Sequence, residues 1–280
     1  MKRSTVKLFA ILAILVFSVS LIGCVSTANT PTGEKYDGYS STLYKVLATK
    51  KITIGIISGF VPISYKDESG KYVGYDVEVA QLIADSLGAE LTLLEVTSDT
   101  RIPAIETGKA DVVLGNSTPT MPRAQKVAFS DTYIVSSERL IVKEDSTING
   151  PDSLPADAKV GVVKGATLDT IFKAKWPQIE LVYFTLPTDG IIAVQNGQVD
   201  AFAEDANFLA YQAKLNGGLK VVGSPLDVVS YNAIMLPMED QVWINYINRF
   251  LFNFNASGEN AKVFEKWVGA PPSSPLNPEY

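Results

Sequence analysis

Gly74-Tyr75-Asp76-Val77-Glu78-Val79-Ala80-Gln81-Leu82-Ile83-Ala84-Asp85-Ser86-Leu87 opens on glycine and an aromatic residue, then turns amphipathic. Residues 72–75 read as a short extended piece, and Asp76 is placed to cap a helix. Val79, Ile83 and Leu87 recur at i, i+4 and i+8, which puts them on one helix face, and Gly88 ends the run. A helix with one apolar stripe must bury it against another element, so its neighbours decide the fold.

Those neighbours are strands. Residues 52–56 (Ile-Thr-Ile-Gly-Ile) precede the helix and residues 90–96 follow it with alternating character. A short helix over 102–108 opens on Pro103, and 111–114 is the next strand. This β-α-β-α-β order predicts a mainly parallel sheet with helices on both faces. A second series follows residue 138, with strands at 159–163, 179–184, 199–203 and 220–222. Helices are predicted at 168–176, 190–196 and 208–215. Each series is near the size of a domain, and the two share an element order without a clear sequence repeat.

Two stretches join the series. Residues 134–143 have strand character interrupted by Ser136, Ser137 and Glu138, and 228–236 lead into amphipathic helices carrying Trp243, Phe250 and Trp267. Two crossings are what two lobes need if the C-terminus returns to the first. The expected division is lobe 1 at 43–135 and 231–280, with lobe 2 at 136–230. The tail after Gly269 is Pro-rich and is expected to pack loosely.

The N-terminus adds an address. Lys2, Arg3 and Lys7 precede an apolar run over 8–22, which is shorter than the ~20 residues a transmembrane helix needs and reads as a signal peptide, 1–23. It ends in Leu21-Ile22-Gly23-Cys24, which resembles a bacterial lipobox and implies cleavage before Cys24 and acylation (palmitate) of its thiol. Cys24 is the only cysteine among 280 residues, so no intrachain disulfide is possible. Residues 24–42, rich in Ser, Thr and Gly, are the expected lipidated tether. The protein is therefore expected outside the cytoplasm, lipid-anchored on the outer face of the cell membrane or in the periplasm.

Composition removes whole classes of function. A net charge of −6 argues against nucleic acid as a partner. Zero histidine excludes Ser-His-Asp and Cys-His catalysis and the commonest zinc ligand. With no thiol beyond Cys24, no cysteine metal site is expected, and neither metal nor cofactor is assigned.

Residues 74–87 also resemble the signature of family 3 solute-binding proteins, which serve polar amino acid importers of the ATP-binding cassette type. The likeness runs over nearly all of 51–269, including Phe264-Glu265-Lys266-Trp267-Val268-Gly269 near the end. It implies an α/β, two-lobed periplasmic-binding-protein fold of type II, with a ligand cleft between lobes joined by two hinge segments. It also implies capture of an amino acid by a monomer that delivers it to the importer's permease.

Candidate ligand residues follow from local chemistry and from the resemblance together. Asn116-Ser117-Thr118-Pro119-Thr120-Met121-Pro122-Arg123 follows a strand and opens a helix, where free N–H groups converge. Arg123 adds a planar fork suited to a carboxylate. By resemblance, Arg123 and Thr118 bind the ligand's α-carboxylate, and Asn116 offers a carbonyl to its ammonium. Thr167, in Gly165-Ala166-Thr167, closes over the carboxylate by the same resemblance or caps the next helix, and the two roles are compatible. Asp205, just past a strand in Asp200-Ala201-Phe202-Ala203-Glu204-Asp205, matches the family's ammonium-binding aspartate.

For the side-chain pocket, Phe60 aligns with an aromatic that stacks on the ligand in relatives. Ser98 and Arg101, in Thr97-Ser98-Asp99-Thr100-Arg101-Ile102-Pro103, resemble glutamate- and aspartate-binding members. Asp99 is placed to neutralise Arg101, and Ile57 removes both an acid and a base from a position that often carries one. The expected order is acidic ligands first, neutral polar ones such as glutamine next, and basic ones last.

Two other functions share these features. Some relatives are cyclohexadienyl dehydratases, which add a carboxylic acid as proton donor, a role open to Glu204 or Asp99. A ligand-sensing lipoprotein is the other alternative. An ending without a signalling domain favours delivery to a permease, and the chain is read as a binding protein rather than an enzyme. Closure is expected to follow a clamshell, with Arg123 and Arg101 engaging first and Thr167 and Asp205 completing the shell.

Overall fold

The computed structural model of the chain describes residues 38–227 and 229–272. The expected signal peptide 1–23, Cys24 and most of the tether lie outside the described residues, as do Val228 and residues 273–280 of the tail.

Helix α1 (Thr42–Thr49) leads to β1 (Lys51–Ile57), and the short β2 (Tyr65–Lys66) and β3 (Tyr72–Val73) pair with each other before α2 (Tyr75–Leu87). Next come β4 (Glu90–Val96), α3 (Arg101–Glu106), β5 (Val112–Ser117), the single-turn α4 (Met121–Ala124) and β6 (Ala128–Ser136). The second series runs β7 (Glu138–Lys143), β8 (Lys159–Val163), α5 (Leu168–Lys175), β9 (Glu180–Phe184), α6 (Pro187–Gln195), β10 (Ala201–Asp205), α7 (Ala206–Asn216) and β11 (Leu219–Val222). Last are β12 (Ser230–Leu236), α8 (Gln241–Ala256) and α9 (Glu259–Val268).

The strands form two five-stranded sheets with one topology. Their orders are β4-β1-β5-β12-β6 and β9-β8-β10-β7-β11. In each, the first three strands are parallel and the fourth runs against both neighbours. The reversed strand, β12 or β7, is the first after the chain changes sheet. The changes fall between Ser136 and Glu138 and between Val222 and Ser230, and Ser136 pairs with Ser230, so the two crossings run side by side. The parallel strands of both sheets end toward the space between them, where α/β folds collect ligands.

Helix α2 buries Val79, Ile83 and Leu87 at 4% exposure or less, the stripe that the spacing predicts. Truncating such a side chain to Ala costs ~2–5 kcal/mol. Its start differs from the sequence expectation, because Asp76 does not cap it. The cap position is Gly74, at φ +127°, where a Cβ would sit 2.4 Å from the Ile63 carbonyl oxygen. The N–H groups of Tyr75 and Asp76 donate to the carbonyls of Pro62 and Ile63, at 3.2 and 2.8 Å. With those donors satisfied by the preceding loop, the Asp76 side chain turns into the core and is fully buried.

The expected tether also ends earlier than residue 42. Ser41 and Thr42 are buried: Ser41 caps α1 and donates to Asp240 at 2.7 Å, and the Thr42 N–H donates to the same carboxylate. The C-terminal helices return to the first sheet. Trp243 is buried and donates to the Asp111 carbonyl at 3.0 Å, while Lys266 and Trp267 both reach Glu78 on α2 at 2.6 Å. Among the described residues, no helix is long and apolar enough to cross a membrane.

Candidate functional site

All eight residues singled out from the sequence line one cavity between the two sheets: Phe60, Ser98, Arg101, Asn116, Thr118, Arg123, Thr167 and Asp205. The cleft holds about 490 Å³ of space outside atoms, part of it open to solvent.

The first sheet supplies the arginines. Arg101 is the first residue of α3, is 4% exposed and donates through Nη1 to the Gly115 carbonyl at 2.9 Å. Its buried Nε has no partner within the protein. Burial, then the nearby Arg123 charge, lower its pKa to about 9, so it stays cationic at neutral pH. Arg123 donates through Nη1 to the Thr118 carbonyl at 2.9 Å and through Nη2 to the Gly165 carbonyl of the second series at 3.0 Å. No ion pair to Arg123 occurs among the described residues, which leaves its charge to the cavity and its two carbonyls.

The second series supplies the acids. Asp205 ends β10 and caps α7, with Oδ1 accepting from the N–H groups of Asn207 and Phe208. Its Oδ2 accepts from Asn116 Nδ2 across the cleft at 2.8 Å. Thr167 stands at the cap position of α5 but makes no side-chain capping bond, so its hydroxyl is not committed to the helix. Phe60 is 2% exposed and stacks on Phe208, ring centroids 5.0 Å apart, so its ring joins the two halves as well as lining the cavity. Asp99 is not the neutraliser of Arg101. It pairs with Lys164 at 3.0 Å and accepts from Thr97, outside the cavity lining, because its turn meets Gly165 of the other half.

Three polar lining residues lie outside the eight ligand candidates: Glu204, Glu138 and Asn232. Glu204 faces Arg101 from β10, and its pKa is raised to about 8 by burial, then by Asp205 and Glu138, against the pull of Arg101. Glu138, which pairs with Asp205 across β7 and β10, is raised in the same direction by burial. Its Oε1 accepts from Ser230 at 2.7 Å and its buried Oε2 has no partner within the protein. Asn232 accepts from Thr118 at 3.0 Å and donates to the Asn116 side chain at 2.6 Å. The available signal was a polar residue inside a strand otherwise built to be buried, as in Ser230-Tyr231-Asn232-Ala233-Ile234.

The cavity is therefore zwitterionic: two guanidinium groups on one wall and three carboxyl groups on the other, two of them at the end of one strand. Such a wall pair holds a small molecule with separated charges. Comparison with known proteins agrees. The chain is 33% identical to the glutamine-binding protein of Geobacillus stearothermophilus over 79% of this chain and 90% of the relative. It is 28% identical to an ABC transporter glutamine-binding protein of Bacillus subtilis (strain 168), over 95% and 99% of the two chains. Its fold superimposes on an ancestral amino acid-binding protein described as a precursor of cyclohexadienyl dehydratase, with TM-score 0.77, 30% identity, and 81% and 100% of the chains covered. Residues 52–270 match the bacterial extracellular solute-binding proteins, family 3, and the chain belongs to that family.

Proposed function

We propose that the chain captures a neutral amide amino acid, glutamine first and acidic amino acids second, and delivers it to an ABC importer permease. The observation that carries the ligand assignment is that Glu204 and Arg101 line one cavity within electrostatic reach of each other. A side-chain amide offers an acceptor to Arg101 and can meet Glu204 whether that acid is protonated or ionised, whereas a carboxylate is accommodated only while Glu204 keeps its proton. The two relatives above are both named for glutamine, which supports an amide amino acid as the ligand.

In this reading, Arg123 and Thr118 take the α-carboxylate, Thr167 closes over it, and Asp205 with the Asn116 carbonyl takes the ammonium. Phe60 and Ser98 flank the ligand's aliphatic part. The working division is two lobes, 43–135 with 231–280 and 136–230, hinged at the paired crossings. Attachment through a lipid on Cys24, after removal of 1–23, keeps the monomer beside its permease outside the cytoplasm. Cys24→Ser should release the protein from the membrane fraction and abolish palmitate labelling.

Calorimetric titration of the refolded full chain against all common amino acids tests the ligand. Saturable binding of glutamine, weaker binding of glutamate and none of arginine is the expected pattern; glutamate tighter than glutamine near pH 8 would sink the assignment. A second reading has one observation in its favour. A carboxylic acid held neutral in the cleft, as at Glu204, is also the proton donor that a cyclohexadienyl dehydratase needs. Steady product formation from prephenate or arogenate would establish it.

A further inference from the structure

Behind the cavity lies a hydrogen-bonded group that the ligand reading leaves unused. Tyr133, on β6, and Asp76, on α2, are both fully buried. The Tyr133 hydroxyl donates to Asp76 Oδ1 at 3.0 Å and accepts from the backbone N–H groups of Asn116 and Gly115, at 3.1 and 3.3 Å. One donor and two lone pairs are all that a hydroxyl has, so its capacity is fully used. Its carbonyl is fixed as well, accepting from the Tyr75 hydroxyl at 2.8 Å and from Asn260 Nδ2 at 2.9 Å.

The two N–H groups need this partner because β5 has parted from β1 before it reaches them. Pairing of β5 with β1 stops at Val113, and the register with β12 is irregular between Ala233 and Met235. Asn116 then takes φ +46°, a left-handed conformation that asparagine adopts more readily than most residues with a Cβ. In that conformation its side chain reaches Asp205 across the cleft at 2.8 Å and Asn232 at 2.6 Å.

We infer that Tyr133, oriented by Asp76, is a positioning residue for the cleft. Its hydroxyl holds the Gly115 and Asn116 backbone so that Asn116 meets Asp205 when the lobes close. Asp76 serves as the acceptor that turns the hydroxyl toward these two N–H groups. The inference rests on the cleft being the ligand site, but its first test needs no ligand.

Hydrogen exchange of the full chain without ligand compares wild type with Tyr133→Phe. More than tenfold faster exchange at Gly115 and Asn116, with the strand amides of β1 unchanged, is expected; unchanged protection at both would overturn the inference. The second test is a double-mutant cycle read by glutamine titration. Tyr133→Phe should weaken binding about tenfold in the wild-type background and less than twofold beside Asn116→Ala. Equal losses in both backgrounds would mean that Tyr133 acts independently of Asn116. If Tyr133→Phe does not fold, Asp76→Leu and Asp76→Asn replace it: Leu should expose the same two amides to exchange, and Asn, which keeps an acceptor oxygen, should restore their protection. Equal exchange in these two variants would overturn the role of Asp76. Wild-type failure to bind glutamine would count against the ligand assignment, while the exchange result would still decide the inference.

Discussion

Replacing Glu204 by Gln separates the two ligand orders that the cavity permits. In the wild type, a glutamate side chain between Arg101 and Glu204 brings a second carboxyl group to the acid. If both were ionised about 4 Å apart, repulsion would cost ~4 kcal/mol at an effective dielectric of 20. Keeping the proton on Glu204 avoids that cost, and with a pKa of about 8 this is nearly free at pH 7. Well above pH 8 each further unit costs ~1.4 kcal/mol, a factor of ten. Preference for glutamine over glutamate should therefore grow about fivefold between pH 8 and 9, where Glu204 passes from half ionised to almost wholly ionised. In Glu204→Gln it should stay flat over the same range, with glutamate bound more tightly than by the wild type at pH 9. Calorimetry in buffers of different ionisation heat also counts protons: glutamate binding at pH 9 should take up close to one proton more in the wild type than in the variant. A glutamine-to-glutamate ratio that is the same in both proteins at pH 9 would refute the placement of the ligand side chain beside Glu204.

Three other perturbations probe different parts of the cleft. Arg123→Ala should weaken every amino acid by 30-fold or more, because a charge-assisted pair to the α-carboxylate is worth ~2–5 kcal/mol when buried; equal binding by calorimetry would remove Arg123 from the site. Gly165→Ala should leave each lobe folded but hinder closure: its φ is +79° and its Cβ would meet the backbone of Asp99 at 2.9 Å. Small-angle scattering with saturating ligand should then show a larger radius than the wild type. Stability without ligand should fall from pH 5 to pH 8. Asp76 and Glu204, with pKa values raised to about 7 and about 8, bind more protons folded than unfolded between about pH 4 and 8, so each loses up to ~1.4 kcal/mol per unit there. Melting temperatures of the Asp76→Asn, Glu204→Gln double variant should be flatter across that range, and an unchanged slope would contradict the assignment.

What was legible in the sequence was whatever depends on local pattern. The stripe Val79, Ile83, Leu87 and the alternation around β1 and β4 fixed the layers, because burial of a periodic face has few solutions. Candidate residues at strand ends were legible for a similar reason: strand-to-helix turns such as Asn116–Arg123 and Glu204–Asp205 must open toward the cleft. What pairs with what was not legible. Asp99 went to Lys164, and Glu204 rather than Asp99 came to face Arg101, because those choices depend on how the two halves meet. Sequence places Asp76 as a cap because it cannot show that the Pro62 and Ile63 carbonyls already satisfy the first N–H groups of α2. The role of Tyr133 was equally hidden, since it turns on β5 parting from β1 after Val113.

The most direct test of the account is an experimental structure of the full chain with glutamine. The account predicts the α-carboxylate on Arg123 and Thr118, the ammonium on Asp205, and the side-chain amide between Arg101 and Glu204, its oxygen toward the arginine. Glutamine bound with its amide away from Glu204, or its carboxylate away from Arg123, would contradict it.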